Sequence, residues 1–503
     1  MQGANFGRLQ YCCAGYACAV GRACFTAVGK HGERDNKGRH EMIAFLLAPI
    51  YLLVNIYIYK RTIGWMAVGI SGLRHGAGRV VSIAIYAFFA LSALFAFVLP
   101  QSEARRILKE IGNYWLGVLL YMIFVIVLAD IARLFLLYVL HIDREKLCAP
   151  RVHRRVGRLC AAAILAVSVL GVVNAGIIRV TPYEVTVNKA WTSSLPASAA
   201  AQEGESGAAT SSDGEIRGRN DDEADARGMA AKVSAADSEA GSAAETRIGS
   251  GAVSDLKIVL VSDLHLGYNI GLRQMEKMVE KINAENADLV VIAGDIFDNE
   301  WEAVQEPARM AKILRGIKSR YGVYACYGNH DIEEPILAGF TFRQSAPKAS
   351  SPEMDAFLTA AGIRLLRDEG VLIADSFYLY GRADARRPGA GITKRETPRE
   401  ITANMDKSKL IIVLDHQPRE LAALAAAGVD LDLCGHTHDG QMFPGNLVVR
   451  PFWENFYGYL KKGDMHNIVT SGVGLFGPNM RVGTKAEICP ITVHFAGSAA
   501  ERS

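Results

Sequence analysis

The stretch KIVLVSDLHLG, Lys257 to Gly267, decides how the C-terminal half of this chain is read. Ile258 to Val261 is a short apolar run rich in β-branched residues, followed by a glycine-closed turn that carries Asp263 and His265. That combination predicts a buried strand with two metal-ligand side chains just past its carboxyl end. The same device returns four times downstream. LVVIAGDIFD delivers Asp295, GVYACYGNHD delivers Asn329 and His330, KLIIVLDHQP delivers His416, and VDLDLCGHTHDG delivers His436 and His438. After the first strand, LRQMEKMVEKI spaces Leu272, Met275, Met278, Val279 and Ile282 along one face of a helix. Strands alternating with helices predict an α/β sheet, whose ligands gather outside the carboxyl ends of the strands. Each piece alone is common; all five in this order, each at a strand end, point to a metal site.

Upstream the chain changes character twice. From Thr192 to Ser254 it is built of Ala, Ser, Gly, Glu and Asp with no aromatic residue. Such a segment buries too little apolar surface to offset its ordering entropy, so 192–254 is expected to be a disordered insertion or tether. Just before it, RVTPYEVTVNKAW alternates apolar and polar residues like a strand. Residues 180–191 are therefore expected to be the first strand of the C-terminal domain, which resumes at 255 and runs to 497.

Four earlier runs, Met42–Tyr59, Val80–Leu99, Tyr114–Leu140 and Leu159–Ile178, are apolar and long enough to cross a bilayer about 30 Å thick. They predict a four-helix transmembrane region over 42–179. Lysine and arginine orient it. Lys60, Arg61, Arg74 and Arg79 with Arg144, Lys146, Arg151, Arg154, Arg155 and Arg158 fall on one side, against Arg105, Arg106, Lys109 and Arg179 on the other. The excess places the C-terminal domain outside the cytoplasm. Lys30, Arg34, Lys37 and Arg39 oppose that arrangement, but residues 1–41 show little apolar periodicity and Met42 opens the first run directly. Met42 is the expected start, with 1–41 an untranslated segment. Asp130 and Arg133, three apart on one helix, are expected to neutralise each other.

The net charge of +3 gives no reason to expect nucleic acid as a partner. Nine cysteines form neither a disulfide framework nor a zinc pattern. Oligomeric state is not encoded in anything legible here.

SDLHLG, GDIFD, GNHD, LDHQP and CGHTHDGQ together resemble the signature of the calcineurin-like metallophosphoesterases. The resemblance covers roughly 180–495 apart from the tether, with no departure at any ligand position. It implies a four-layer α/β/β/α sandwich holding two divalent metal ions, manganese, iron or zinc. Carried over, Asp263, His265, Asp295 and His438 hold one ion. Asp295 bridges to the second, completed by Asn329, His416 and His436, while His330 faces the phosphate as acid or electrostatic clamp. The fuller forms SDLHLG and GHTHDGQ, with the preceding RVTPYEV and the closing RVGTKAEI, look most like a membrane-associated branch that includes UDP-2,3-diacylglucosamine pyrophosphatase-like proteins.

The implied activity is a membrane-anchored phosphohydrolase cleaving a phosphodiester or pyrophosphate bond by metal-activated hydroxide, on a substrate in a lipid or envelope precursor. A phosphomonoesterase or protein phosphatase on the same site, and a non-catalytic scaffold, are the alternatives. Arg481 is a candidate for meeting a substrate phosphate. Asp331 and Asp439 are expected to orient ligand histidines, and Gly435 and Gly440 to let the backbone close round the metals. PFWENFYGYL, Pro451 to Leu460, reads either as core or as a rim touching the bilayer.

Overall fold

The computed structural model describes residues 36–191 and 255–496, apart from short stretches at 68–70, 74, 333–335, 338–339, 342–349, 386, 388–391 and 393. The expected tether and most of the first 41 residues lie outside the described residues.

Five helices open the fold: α1 Asn36–Met66, α2 Gly76–Val98, α3 Glu103–Tyr138, α4 Arg144–Cys148 and α5 Pro150–Ala175. The long ones are near-continuous apolar sequence with local start signals. The Ser102 hydroxyl accepts the Arg105 amide at 3.2 Å and Glu103 sits in the first turn of α3. Pro150 begins α5, where its missing N–H is not needed. Among the described residues three helices, α2, α3 and α5, are long and apolar enough to cross a membrane, where four were expected. The remaining run, Met42–Tyr59, falls in α1, whose side chains before residue 49 lie outside the described residues.

Two further expectations are corrected. Helix α3 starts at Glu103 rather than Tyr114, because Arg105, Lys109 and Asn113 find partners in the C-terminal domain. Asp130 pairs with Arg61 and Tyr57 from α1, not with Arg133, which donates to Cys148 Sγ at 3.4 Å. A neighbouring helix can bring a cation head-on, whereas the i+3 residue lies alongside.

The first sheet is built from β1 Ile178–Val180, β2 Tyr183–Val187, β3 Asp255–Val261, β4 Leu289–Ala293 and β5 Val323–Cys326, with α6 Leu272–Ala284 and α7 Pro307–Arg315 between strands. A small hairpin, β6 Ile336–Leu337 and β7 Phe340–Thr341, precedes α8 Pro352–Ala360 and β8 Ile363–Leu365. The second sheet uses β9 Glu369–Ile373, β10 Phe377–Gly381, β11 Leu410–Leu414 and β12 Leu431–Cys434, interleaved with α9 Pro398–Thr402 and α10 Leu421–Ala427. After α11 Gly445–Val449 it is completed by β13 Gly458–Lys462 and β14 Met465–Val469, and β15 Ala486–Phe495 returns to the first sheet.

The strand orders are β1-β15-β3-β4-β5-β8, with β2 also on β15, and β13-β14-β12-β11-β10-β9. Strands β3, β4, β5 and β8 run parallel, as do β10, β11, β12 and β14, while β15 lies antiparallel to β3. Sheets are thus mixed, and β2 pairs with β15 in the register Val185 to Val493.

Alternate side chains of the two sheets feed separate apolar cores. Val259, Val261, Val290 and Ile292 pack with Met275, Met278 and Ile282 of α6 and Met310 of α7. Their neighbours Ile258, Leu260, Leu289 and Val291 pack instead with Leu379, Ile412, Leu414 and Leu433 of the second sheet. On the far side of that sheet, Ile411 and Val413 meet Leu421 and Leu424 of α10. Strand β4 is buried on both faces, which explains its unbroken LVVIA.

The helices and this domain form one compact unit. Arg105, Lys109, Asn113, Gly117 and Tyr121 recur every fourth residue and so share one face of α3. Arg105 and Lys109 reach Glu300 at 2.7 and 2.6 Å, and Asn113 donates to Asn269 at 2.8 Å. A Cβ at Gly117 would lie 2.6 Å from the Met480 side chain. The Tyr121 hydroxyl donates to the Phe443 carbonyl at 2.9 Å. From α5, Asn174 donates to the carbonyls of Arg481 and Thr484 at 3.1 and 2.8 Å.

Candidate metal centre

Parallel pairing puts the carboxyl ends of β3, β4 and β5 at one edge of the first sheet, and β11 and β12 end beside them on the second. The loops leaving these five strands carry Asp263, His265, Asp295, Asn329, His330, His416, His436 and His438. Two groups form. In one, His265 Nε2 and His438 Nε2 are 3.1 Å apart, with Asp263 Oδ1 3.3 Å from the latter. In the other, His416 Nε2 lies 3.0 Å from Asp295 Oδ2 and 3.1 Å from His436 Nδ1. Within each group the facing atoms all lie within 4.8 Å of one another, close enough to share an ion. Asp295 Oδ2 is also 3.8 Å from His265 Nε2, so this one carboxylate oxygen faces both groups.

The backbone is bent to make this possible. Asp263, His265, Asp295, His436 and His438 all have φ between 46° and 73°, a left-handed conformation that costs energy for non-glycine residues and clusters at functional sites. Two glycines let neighbouring backbone close in. A Cβ at Gly328 would stand 2.3 Å from Asp295 Oδ1, and one at Gly435 would stand 2.4 Å from Asp263 Oδ2. At Gly440, by contrast, a Cβ would stand 2.2 Å from the Asn446 amide nitrogen, so this glycine lets the next loop close in rather than the ligands.

Hydrogen bonds then set the ring orientations. His416 Nδ1–H donates to the Ala293 carbonyl at 2.9 Å, which can only accept, so Nε2 is the nitrogen turned to Asp295. His265 Nδ1 faces Asp298 Oδ1 at 3.5 Å, and the His330 Nδ1 pairs with Asn299 Oδ1. Asp295 Oδ1 accepts the His330 amide at 2.8 Å, leaving Oδ2 for the two groups.

Burial disfavours charge here, yet Asp295 is held well below the usual carboxylate range by the imidazoles of His416 and His330. Reciprocally, burial is outweighed at His416 by the Asp295 carboxylate, which holds its imidazole well above the usual value. Burial pushes His436 and His438 far down and His330 to about 4, so these three rings are neutral. Neutral imidazoles and ionised carboxylates are the forms that bind metal, so His436, His438 and Asp295 are already in them, whereas His416 would give up a proton to an ion. The Asn329 Oδ1 is buried with no hydrogen-bond partner. An orphaned acceptor beside converging lone pairs is the donor set a divalent cation fits.

A family model described as calcineurin-like phosphoesterase matches residues 256–440. Over those residues the chain carries a calcineurin-like phosphoesterase domain. Its relatives agree. An uncharacterized metallophosphoesterase of Campylobacter jejuni is 28% identical over 235 residues, covering 46% of this chain and 58% of the relative. A transmembrane protein with metallophosphoesterase domain from Danio rerio is 30% identical over 258 residues, covering 48% and 54%. An uncharacterized metallophosphoesterase of Aquifex aeolicus is 29% identical over 249 residues, covering 49% and 87%. The chain thus spans little more than half the length of the first two relatives it matches.

All seven residues expected as ligands of the phosphoesterase, and His330, are gathered at one edge. Arg481 is not placed for substrate. It is fully buried and donates to the carbonyls of Ser471, Gly472, Gly474 and Lys485 at 2.8, 3.2, 2.8 and 2.9 Å. The His438 carbonyl is a fifth acceptor at 3.4 Å and the His438 Nδ1 lies 3.5 Å away, so the guanidinium braces the loop that carries His438. Asp331 likewise accepts the amides of Phe297 and Gly328 at 2.8 and 2.7 Å, fixing loops rather than histidine rings. Pro451–Leu460 is neither wholly core nor wholly rim. Trp453 meets His436 edge-on at 5.1 Å with Arg419 over its ring at 4.6 Å, while Phe452 is exposed.

Three residues went unread in the sequence. Asp298, Asn299 and Glu300 follow Asp295 in GDIFDNE, and the structure gives them His265, His330 and the α3 cations as partners. Three consecutive polar residues so soon after a buried strand end were the available signal.

Proposed function

We propose that the chain is a membrane-anchored metal-dependent phosphohydrolase cleaving a phosphodiester or pyrophosphate bond, its two ligand groups each holding a divalent ion. The observation that carries this reading is Asp295 Oδ2, 3.0 Å from His416 Nε2 in one group and 3.8 Å from His265 Nε2 in the other. Manganese, iron or zinc so held would polarise a phosphoryl oxygen and acidify water from a pKa of 15.7 toward about 7. On the chain's side, Asp263, His265 and His438 supply one set of donors and Asn329, His416 and His436 the other, with Asp295 common to both. The Asn299 Oδ1 can only accept, so it takes the His330 Nδ1–H and leaves Nε2 as the nitrogen free to face the phosphate.

The same reading makes 42–179 the anchor, 192–254 a tether inserted after the first strand at 180–191, and 255–497 a four-layer α/β/β/α sandwich. The three apolar cores, helix on sheet, sheet on sheet and sheet on helix, support those layers. Arginine and lysine bias in the loops favours a catalytic domain outside the cytoplasm. Attachment beside a bilayer, with the flanking motifs that resemble UDP-2,3-diacylglucosamine pyrophosphatase-like proteins, favours a phosphate ester in a lipid or envelope precursor.

The test is hydrolysis of an aryl phosphodiester beside the matching monoester by the full chain in detergent, chelated or manganese-loaded, with Asn329→Ala as control. Diester turnover that needs metal and is lost in the variant is expected. A preference for the monoester would instead favour a phosphomonoesterase or protein phosphatase, and bound metal without turnover of either would favour a scaffold.

A further inference from the structure

The segment MFPGNLVVRPF, Met442 to Phe452, leaves the turn that carries His438 and contains α11, none of whose side chains is buried. Phe443, Leu447, Val448 and Phe452 are 38, 59, 37 and 38% exposed. Large apolar side chains clustered in so short a segment mark a surface made to be covered.

What covers it is indicated by its neighbours. Met442 is fully buried in a small cluster with Tyr121 of α3 and Met480, flanked by Val167 of α5. The Tyr121 hydroxyl holds the Phe443 carbonyl, and the Phe124 ring meets the Phe443 ring edge-on at 6.0 Å. Phe124 is itself exposed, on a helix long and apolar enough to cross a membrane, with exposed Val127, Leu128 and Ile131 on the next turns. Phe443 therefore extends a surface that α3 already turns outward. Asn113 is the last residue of the α3 stripe with a polar side-chain partner before Gly117. At 1.5 Å per residue, Phe124 lies roughly 16 Å further along the helix than Asn113. The segment is thus held beside the apolar length of α3, not at its polar end.

We propose that Met442–Phe452 dips into the bilayer beside α3, its partner being the lipid acyl chains of the leaflet nearest the phosphoesterase domain. Arg450, exposed at the end of the segment and lying over the Phe456 ring at 5.7 Å, is placed to extend to lipid phosphates while its stem stays apolar. Trp453, three residues on, packs against His436, so the dipping segment runs directly into the metal centre. A phosphate group carried on a lipid in that leaflet would reach the centre without leaving the membrane surface. The insertion itself needs no hydrolysis, so it stands or falls separately from the proposed activity.

The experiment places an environment-sensitive nitrobenzoxadiazole label on Leu447→Cys, and separately on Val448→Cys, in full chain whose Cys12, Cys13, Cys18, Cys24 and Cys148 are serine. Labelled protein that melts like the unlabelled chain is reconstituted into phosphatidylcholine vesicles, with or without doxyl groups near the headgroup end of the acyl chains. Loss of emission with doxyl lipid and none with aqueous iodide is the expected result. Lys461→Cys, on exposed β13, should behave oppositely. Iodide quenching at both apolar positions would overturn the proposal, leaving the segment in water. Protection from both quenchers would overturn it too, because a protein surface or second copy would then be the cover.

Discussion

Glu300→Ala should loosen the phosphoesterase domain from its membrane helices. Glu300 is 2% exposed and receives Arg105, Lys109 and the Tyr268 hydroxyl at 2.7, 2.6 and 2.9 Å. The Lys109 ammonium also lies over the Tyr268 ring at 4.2 Å. Removing the carboxylate leaves two largely buried cations facing each other without the group that pairs them, a loss of about 3–5 kcal/mol. For a domain of this size each kcal/mol moves the melting temperature by about 2–4 °C, so a fall of roughly 6–20 °C is expected. The assay is thermal unfolding of full chain in detergent, followed by tryptophan emission. Arg106→Ala is the control, since among the described residues that side chain pairs only with exposed Glu103, at 3.3 Å, and such pairs contribute about 0–1 kcal/mol. Removing all three charges together, Glu300→Ala with Arg105→Ala and Lys109→Ala, should recover part of the loss, because no unpaired charge is left behind. A melting temperature for Glu300→Ala within the Arg106→Ala range, or a triple variant worse than the single by the sum of its parts, would refute the reasoning.

Four other outcomes are expected. Gly435→Ala drives a methyl group to 2.4 Å from Asp263 Oδ2, and should abolish bound metal measured by elemental analysis while leaving most of the helical circular dichroism. Chelation should lower the melting temperature of the native chain, since an ion present at 100 times its dissociation constant contributes about 2.7 kcal/mol, and should leave Gly435→Ala unchanged. Arg481→Met strands several buried carbonyls at roughly 1–3 kcal/mol each, so it should cost stability in urea melts without a selective rise in KM. Asp432 is fully buried beside Asp415 and its carboxyl is pushed up to about 7. A carboxyl raised in the folded state stabilises below its unfolded value and loses that contribution as pH rises through the folded one. The native chain should therefore melt lower at pH 8 than at pH 5, and Asp432→Asn should show a smaller fall.

How much was legible beforehand depended on the range of the interaction. The strand ends were legible because burial leaves a local trace: LVVIA, LIIVL and KIVLV are short, β-branched apolar runs, and each is followed by its polar turn. The apolar runs behind α2, α3 and α5 were legible for the same reason. The partners of charged residues were not. Arg105 and Lys109 counted only as loop charges in the sequence, whereas in the fold they lie on α3 and meet Glu300. Asp130 chose Arg61 across a helix interface over Arg133 on its own helix. Arg481, an apparent phosphate contact, spends its donors on backbone carbonyls.

The sequence by itself determined the residue types and the order in which they arrive at strand ends, because alternation and burial are encoded within a few residues. Only the tertiary structure decided that His416 from the second sheet reaches Ala293 of the first, and that Asp295 faces both ligand groups. Those placements depend on two sheets stacking in one register, and that register is a sum over many long-range contacts that no single stretch of chain contains.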